Sequence, residues 1–367
     1  MKAVRLRVSI GLPVYNGERY VAAALESLLS QTFRDFELII SDNASSDRTE
    51  HICRQYAARD RRIRYYRNAI NLGAAPNFNR TAKLATGEYF QWACYDDLWL
   101  PECLERCVAV LDRDPSIVLC HTRVQMIDEF GAPTRVFQHH VVKPTAGPPP
   151  SASACRPEER FNRMLYERGC YSILGLMRLS ALRQTRGHEA YTHGDGVLMA
   201  RLALLGRYHE IPEALFLNRD HPARSARVAK PQYHTYDGWF DTKKVGRISL
   251  PYWRMWFGYL QGVWETPLSF RSRLWCHFYL LNWMRWTRKN LFKDLKRVVR
   301  QWMLQVLEPI SWPFVRIVEG RAPFRDVVAT PLSRRAGAGT DVVPTPLCRR
   351  EFAATERRGY SLPAKVK

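Results

Sequence analysis

Two features of exported and membrane proteins are missing from this sequence. No positively charged start followed by an apolar segment marks a signal peptide. The most apolar stretch, from Leu274 to Trp286, is about 13 residues long and is interrupted by His277, Asn282 and Arg285, whereas a membrane-spanning helix needs roughly 20 residues. We therefore expect a cytoplasmic chain without a transmembrane helix.

Paired cysteine motifs are missing as well. The nine cysteines form an odd set with no Cys-x-x-Cys pair, which predicts a reduced chain. Cys103 and Cys107 lie four residues apart on a predicted helix, but no further cysteine or histidine at finger-like spacing completes a tetrahedral metal site. We expect both to be half-buried structural thiols.

Glycine-rich phosphate loops are the third absence. The chain has neither a Walker A motif nor Gly-x-Gly-x-x-Gly, which makes a nucleotidyltransferase a minor alternative. Acidic residues are scarce, since 35 Asp and Glu stand against 56 Lys and Arg and give a net charge of +21. This charge predicts an anionic partner such as a phosphorylated ligand, acidic lipid headgroups or nucleic acid.

The composition is that of an ordinary globular protein, with 46% apolar and 25% charged residues. A length of 367 residues fits one large domain plus an appendage. We expect the large domain to span residues 1–230 and a helical, tryptophan-rich basic appendage to span 231–321. Residues 322–367 contain proline, glycine and paired arginines with little apolar periodicity, which predicts a disordered tail.

The large domain alternates short apolar runs with helical patterns, which is typical of βαβ units and a mostly parallel sheet flanked by helices. In its first hundred residues the predicted strands are Val8 to Tyr15, Phe36 to Ile40, Ile63 to Tyr66 and Tyr89 to Cys94. Later in the chain, a helix is predicted from Val197 to Leu205 and strands are predicted at Ile117 to Ile127, Ser172 to Leu179, Tyr208 to Ile211 and Ala214 to Leu217.

Polar side chains follow several of these predicted elements. Asn16 follows the first strand, Asp42 the second and the pair Asp96-Asp97 a later one, while Asp195 precedes a helix. Open α/β sheets bind ligands at the carboxyl ends of their strands, so a shared crevice would bring these side chains together. Carboxylates suit magnesium or manganese. On spacing alone, a solvated cap for the helix after Pro101 is an equal alternative for the Asp pair.

Six sequence blocks in the large domain form an ordered set: Pro13 to Gly17, Gln31 to Phe33, Phe36 to Thr49, Asn71 to Gly73, Ala85 to Gly87 and Tyr95 to Asp97. In this order they resemble the signature of glycosyltransferase family 2, closely over residues 8–130 and more loosely to about residue 225. The resemblance implies the GT-A fold, an α/β fold with a mostly parallel nucleotide-binding sheet.

The resemblance also implies a nucleotide-sugar site. Pro13 and Tyr15 would border the base or ribose of the nucleotide, Asn16 would bind the nucleotide-sugar, and the Asp42 carboxylate would accept a hydrogen bond from the base. The family's acidic motif is commonly Asp-x-Asp, whereas here Tyr95 occupies its first position.

The resemblance also implies a metal site at the remaining two acids of this motif. Asp97 would bind a divalent ion, Mn²⁺ or Mg²⁺, and Asp96 would bind the ribose or support the ion. The stretch from Asn218 to Pro222 resembles a later loop in which His221 would join the metal and a cation would face the diphosphate. A packed histidine without a ligand is the alternative for His221.

Three further residues are site candidates. Asp195 matches the family's catalytic base, although Gly194 stands where a glutamate often precedes it, and an N-cap for the following helix is the alternative. Asn71 belongs to a matching block, and Arg80 on the helix after it would point at phosphates unless it lies on a solvated helix face.

Together these residues imply an inverting glycosyltransferase that moves a sugar from a nucleotide-diphosphate-sugar to an acceptor hydroxyl. Bacterial-type surface polysaccharide or lipid-linked glycan synthesis is the expected setting. A catalytically silent GT-A-like nucleotide-sugar-binding protein, or a nucleic-acid-binding protein, is the alternative, although we expect no nucleic-acid partner.

The appendage mixes aromatic and basic residues. From Arg247 to Arg321 it holds eight of the 11 tryptophans and 13 basic against four acidic residues. Such a mixture suits a helix in the headgroup region of an anionic membrane, which would place the protein at the inner face of the cell membrane. The alternative is that the tryptophans pack a second helical layer onto the core.

Overall fold

The computed structural model describes residues 6–137, 140–141, 156–168, 170–224, 237–244 and 249–315. The chain forms two compact units, Met1–Pro309 and Ile310–Lys367, and the description below concerns the first. Of the second, only residues 310–315 at the end of a helix are described. The predicted tail, residues 322–367, lies outside the described residues.

Eleven strands are found in the described residues. They are β1 Val8–Val14, β2 Phe36–Asp42, β3 Ile63–Arg67, β4 Tyr89–Trp92, β5 Leu98–Trp99, β6 Ile117–Ile127, β7 Pro133–Phe137, β8 His140–Val141, β9 Glu167–Arg168, β10 Leu176–Arg178 and β11 Arg207–Arg219.

Ten helices accompany these strands in the same part of the chain. They are α1 Val21–Leu29, α2 Thr49–Arg59, α3 Ala74–Leu84, α4 Cys103–Arg113, α5 Pro157–Tyr166, α6 Leu179–Leu182, α7 Gly194–Leu205, α8 Asp237–Phe240, α9 Pro251–Glu265 and α10 Phe270–Val315. Two 3₁₀ turns, Tyr171–Leu174 and Thr242–Lys244, complete the set.

Nine strands form one sheet in the order β3-β2-β1-β4-β10-β6-β11-β5, with β7 paired to β6. Strands β3, β2, β1 and β4 are parallel. Strand β10 is antiparallel to both β4 and β6, so β6 and its parallel partner β11 run in the same direction as β4. The carboxyl ends of β1, β2, β4 and β11 therefore meet at one edge of the sheet.

The two first strands are buried on both faces, as expected for a parallel sheet covered by helices. Every residue of β1 and of β2 is buried. Helix α1 covers the sheet with Val21, Ala24, Leu25 and Leu28, the apolar face that its spacing predicts.

Three of the predicted strands are wrong. The strand expected from Ser172 to Leu179 is a 3₁₀ turn, Tyr171–Leu174, followed by the short strand β10. The two strands expected within residues 208–217 are one continuous strand, β11, whose pairing with β6 shifts register between Ile211 and Phe216. Pro212 lies within this shift. Because proline has no amide hydrogen to donate to the neighbouring strand, the sequence predicts an interruption between two strands here.

The cysteines fit the expected reduced chain. All seven cysteines of the described residues are free. Cys103 and Cys107 lie on the inner face of α4 and are 3% and 2% exposed, so these thiols are fully buried rather than half-buried. Burial and a hydrogen bond between them raise the pKa of Cys103, which keeps it a protonated core residue.

Helix α9 packs directly on α7 through two glycines. A Cβ atom on Gly258 would lie 2.7 Å from the Tyr191 hydroxyl and 2.8 Å from Val197, and one on Gly262 would lie 2.7 Å from Cγ of Arg201. The buried Arg201 guanidinium donates to the Gly258 carbonyl at 3.1 Å. These contacts join α9 of the appendage to the sheet domain.

Helix α10 has one buried and one exposed apolar face. Cys276, Leu280 and Trp283 are at most 2% exposed, whereas other large apolar side chains on the same helix face the solvent. Packing onto the core, which was the alternative for the appendage, thus accounts for part of its aromatic residues. Within the described residues, no helix is long and apolar enough to cross a membrane.

The close approach of α9 and α7 predicts a stability difference between two matched substitutions. Gly258→Ala places a methyl group against Val197, whereas Gly196→Ala meets nothing nearer than 3.6 Å. Both changes gain the same helix propensity, so Gly258→Ala should be less stable than Gly196→Ala by about 1–3 kcal/mol of overpacking. Urea unfolding of the two variants measures this difference, and equal midpoints would contradict it.

Candidate active site

The acid pair lies where β4 ends at the carboxyl edge of the sheet. Asp97 is 2% exposed, and its Oδ1 accepts hydrogen bonds of 2.9 Å from Asn218 Nδ2 and from the Arg219 backbone N–H. A solvated helix cap, the alternative for this pair, is wrong because the carboxylate is buried and is held by β11. The end of β11 therefore fixes the orientation of Asp97.

The burial and the negative charge of the Asp96-Asp97 pair favour a bound cation. Burial raises the pKa of Asp97 well above its usual range, and the neighbouring Asp96 raises it further. The Arg219 amide, Arg224 and the Asn218 amide act in the opposite direction without cancelling the effect. A divalent ion between the two carboxylates would relieve this cost.

The donor set fits magnesium or manganese. One ligand atom from each of Cys94, Asp96 and Asp97 lies within 4.8 Å of the others. The two carboxylates supply oxygen ligands, and Oδ1 of Asn218, whose Nδ2 donates to Asp97, is buried without a hydrogen-bond partner in the described part of the chain. Hard cations prefer such oxygens. Burial raises the pKa of the Cys94 thiol, which makes it a poor ligand for a hard ion.

His221 lies beside the pair but contacts Asp96. Its Nε2 is 3.0 Å from Asp96 Oδ2, its side chain is 4% exposed, and its ring lies 4.9 Å from the Tyr20 ring. The structure thus brings His221 to the acid pair, as predicted. Its role as a metal ligand stays a prediction.

Two arginines of the β11 end belong to the site and were not singled out from the sequence. Arg219 donates to the Asp96 carbonyl at 2.9 Å and lies over the Tyr20 ring. Arg224 donates to the Tyr171 hydroxyl at 2.8 Å and is close enough to Asp97 for each to shift the other's pKa. The resemblance implies a cation in this part of the chain that faces the diphosphate, and that role stays a prediction.

The loops after β1 and β2 are tied together by hydrogen bonds. The side-chain Oδ1 of Asn16 accepts a hydrogen bond of 2.8 Å from the Ser46 backbone N–H, and the Asn16 backbone N–H donates to Ser45 Oγ at 3.0 Å. Asn16 and Ala44 both have positive φ, at 50° and 63°, which is rare for residues with a side chain and common at functional sites. Ala44 gave no signal in the sequence.

The residues predicted to border the nucleotide differ in exposure. Pro13 is a buried residue of β1, whereas Tyr15 is 43% exposed at the edge of the sheet. Of the three residues before the first turn, Tyr15 and Asn16 are therefore the ones open to a ligand. Their contacts with a nucleotide stay predictions.

Asp42 is fully buried and engaged inside the protein. It accepts hydrogen bonds from the Ser45 amide at 2.8 Å, the Tyr65 hydroxyl at 2.7 Å and Arg67 at 2.6 Å. Both carboxylate oxygens thus have protein donors. Oδ2 accepts from Tyr65 and Arg67, whereas Oδ1 accepts from the Ser45 amide alone and could accept one more hydrogen bond. The predicted contact with the base stays a prediction.

Asn71 and Arg80 also have partners in the protein. Asn71 Oδ1 accepts from Asn43 Nδ2 at 2.8 Å, and the Arg80 guanidinium contacts Asn68 and lies 5.5 Å from the centre of the Tyr66 ring. Arg80 is therefore not on a freely solvated face. Nucleotide-sugar contacts of both residues stay predictions.

Asp195 lies in the first turn of α7, one residue after the helix begins. Its Oδ1 accepts from the Gly196 amide at 2.9 Å, and its second oxygen has no hydrogen-bond partner within the described residues. His193 is the N-cap residue, with φ of 68°, so the N-cap alternative for Asp195 is wrong. A half-buried carboxylate with one open oxygen suits a general base.

Adjacent residues connect Asp195 with the acid pair. Cys170 lines the same cavity as Asp195, and the next residue, Tyr171, accepts the hydrogen bond of Arg224. Arg224 in turn lies near Asp97. The catalytic-base candidate and the metal-site candidates are therefore linked through one short segment.

Comparison with known proteins identifies the family. The family model described as glycosyl transferase family 2 matches residues 9–184. An uncharacterized glycosyltransferase of Rickettsia typhi is 35% identical over 242 residues, which cover 63% of this chain and 69% of the relative. A Bacillus subtilis protein named as glycosyltransferase EpsE is 39% identical over 126 residues, or 34% of this chain and 45% of EpsE.

Another relative matches only a small part of a longer protein. The chondroitin synthase of Escherichia coli is 32% identical over 124 residues, which cover 34% of this chain and 18% of the synthase. The match thus covers less than half of EpsE and less than a fifth of the synthase.

A solved structure shares the fold. The crystal structure of residues 1–349 of TarS from S. aureus, in complex with UDP-GlcNAc, aligns with a TM-score of 0.53 at 17% identity and covers 78% of this chain and 75% of that one. The predicted GT-A fold is confirmed by this likeness. With the family model and the Rickettsia relative, the conclusion is that this chain belongs to glycosyltransferase family 2.

Proposed function

We propose that this protein transfers a sugar from a nucleotide-diphosphate-sugar to an acceptor hydroxyl with inversion at the anomeric carbon. The observation that carries the proposal is the buried acid pair at the carboxyl edge of the sheet, linked through Cys170 and Tyr171 to the partly open carboxylate of Asp195. Family membership supports it.

The acid pair would hold a divalent ion, Mn²⁺ or Mg²⁺, through Asp97 with Asp96 and His221 beside it. When bound, such an ion supplies charge neutralisation for the leaving diphosphate. Asn218 and the Arg219 amide fix the Asp97 carboxylate, and Arg224 adds a positive charge on the same side. The Asp97 carboxylate is thus held in place before an ion binds, and the Arg224 charge would help to stabilise the departing diphosphate.

Asp195 would remove the proton of the acceptor hydroxyl. Its open oxygen is the acceptor for that proton, and the hydrogen bond from Gly196 holds the other oxygen in place. One base and one in-line displacement give inversion.

The acceptor would be a glycan. The chondroitin synthase relative bears a name that refers to a polysaccharide product, which supports polysaccharide or lipid-linked glycan synthesis as the setting. The donor would lie beside Tyr15 and Asn16, with Pro13, Asp42, Asn71 and Arg80 behind or around it.

The exposed face of α10 would bind an anionic membrane surface. Phe278, Leu281 and Phe292 are each about half exposed or more on this helix, and an apolar groove of about 370 Å³ is bordered by Arg285 and Arg288. Exposed basic residues near an anionic bilayer contribute about 1 kcal/mol each. This position would bring a cytoplasmic enzyme to a membrane-linked acceptor.

Loss of the metal carboxylate should abolish turnover without unfolding the protein. Asp97→Asn keeps the size of the side chain and removes a charge whose burial is unfavourable, so the melting temperature should not fall. Transfer should fall by at least about 10²-fold, as it should for wild type in excess chelator. Asp60→Asn, in a surface pair with Arg62, is the control and should retain full activity. Full-rate transfer by Asp97→Asn would disprove the metal role.

Replacing the base should slow chemistry but not donor binding. Asp195→Asn keeps the shape of the side chain and removes its basicity, so the transfer rate should fall by about 10² to 10⁴. Calorimetric titration with the donor should give an unchanged dissociation constant. A large loss of donor affinity would instead assign Asp195 a binding role, and an inactive wild type would favour a silent nucleotide-sugar-binding protein.

Membrane binding should depend on salt and on the exposed face of α10. Wild type should bind phosphatidylglycerol vesicles but not phosphatidylcholine vesicles, and binding should weaken from about 10 mM to about 1 M salt as the screening length falls from about 30 Å to about 3 Å. Phe292→Ser should weaken it.

The control for this experiment is Phe130→Ser, which changes an 83% exposed phenylalanine in the turn between β6 and β7. It should bind vesicles as wild type does. Truncation before α9 is a poorer test, because it would uncover Val197 and Arg201 in the core. Wild type that ignores anionic vesicles at low salt would rule out the membrane surface.

A further inference from the structure

A cavity of about 570 Å³ lies beside Asp195, within the size range of small-molecule sites. One side is formed by the sheet domain, through the end of α5, Cys170 and the start of α7. The other side is formed by the appendage, through Tyr252 and Met255 of α9 and Trp286 and Asn290 of α10. The two parts of the chain thus share one pocket.

The walls of this cavity are aromatic and held in place. The Trp286 ring is 42% exposed and meets the Tyr166 ring edge-on at 5.3 Å, while the buried Trp283 meets Tyr259 edge-on at 5.5 Å. Rigid aromatic rings in a ligand cavity offer flat apolar surface to a partner at little entropic cost.

Polar groups on the same wall are available for hydrogen bonds. Asn290 is half-buried, and its side chain has no hydrogen-bond partner among the described residues. The side-chain amide therefore offers two donor hydrogens and one acceptor oxygen. The Thr287 hydroxyl, by contrast, donates to the Trp283 carbonyl. A ligand with both a flat apolar face and several hydroxyl groups matches this combination.

The charge of the lining narrows the ligand class. Among the residues that the structure describes, Asp195 and Glu167 line the cavity and no lysine or arginine does. In a chain of net charge +21, this acidic lining disfavours phosphorylated or carboxylated ligands. The pocket therefore fits a neutral polyhydroxylated ring.

We propose that α9 and α10 form the specificity wall of the acceptor site, in which a neutral pyranoside stacks on Trp286 and hydrogen-bonds to Asn290 with a hydroxyl presented to Asp195. This inference rests on the proposed function for the role of Asp195. It assigns the choice of acceptor to the appendage rather than to the sheet domain.

The test separates glycoside binding from catalysis. Saturation-transfer NMR measures binding of para-nitrophenyl β-glucoside, β-N-acetylglucosaminide and β-glucuronide to the full chain. Wild type should bind the two neutral glycosides and reject the glucuronide. Trp286→Ala should weaken binding by about tenfold or more, since truncating a central aromatic contact is among the most costly changes to a binding site.

Trp275→Ala is the matched control, because Trp275 lies on the same helix, is 41% exposed and does not line the cavity. It should bind neutral glycosides as wild type does. Hydrolysis of the nucleotide-sugar by water should also match wild type in Trp275→Ala, because Trp275 lies outside the cavity.

Several results would overturn the proposal. They are wild type that binds no neutral glycoside or binds the glucuronide equally well, Trp286→Ala that binds like wild type, and Trp275→Ala that loses binding to the same extent. Failure of the proposed function gives a different pattern, in which neutral glycosides bind but no nucleotide-sugar is hydrolysed or transferred by any variant.

Discussion

The burial of Asp97 next to Asp96 is the constraint on which the site depends. A carboxylate at 2% exposure beside a second acid is unfavourable unless donors and a cation surround it. The long strand β11 meets this demand by pairing with β6 on one side and, near its end, with β5, the short strand that directly follows Asp97. Asn218 and Arg219 thereby reach Asp97 from more than a hundred residues away. The loop after β11 then contributes His221 and Arg224.

The parts of the fold that the sequence predicts well are those fixed by local pattern. Strands β1, β2 and β6 and the apolar face of α1 follow from runs of buried residues and helical spacing. The 3₁₀ turn at Tyr171–Leu174 could not be predicted, because its apolar run reads equally as a strand and only its contacts with β4 and β6 decide.

The residues of the candidate site likewise include some that a local motif predicts and others that only the folded chain brings together. Asp96, Asp97, His221 and Asp195 were found by motif, and the structure places the first three together. Tyr65 and Arg67 donate hydrogen bonds to Asp42, and a cavity lies beside Asp195. Both features arise from contacts between segments that are distant in the sequence, so no local pattern predicts them. The positive φ of His193 likewise becomes visible only in the folded chain.

Helix α7 is buried from Gly196 to Leu204, with even Arg201 enclosed, so it cannot rotate or slide without exposing apolar surface. The carboxylate in its first turn therefore stands on a rigid support. In the proposed mechanism the entropic cost of orienting the base is therefore met during folding rather than at each encounter with substrate. Adjustment between enzyme and acceptor would then come from the acceptor and from the exposed side chains opposite Asp195, while the Asp195 carboxylate keeps one position.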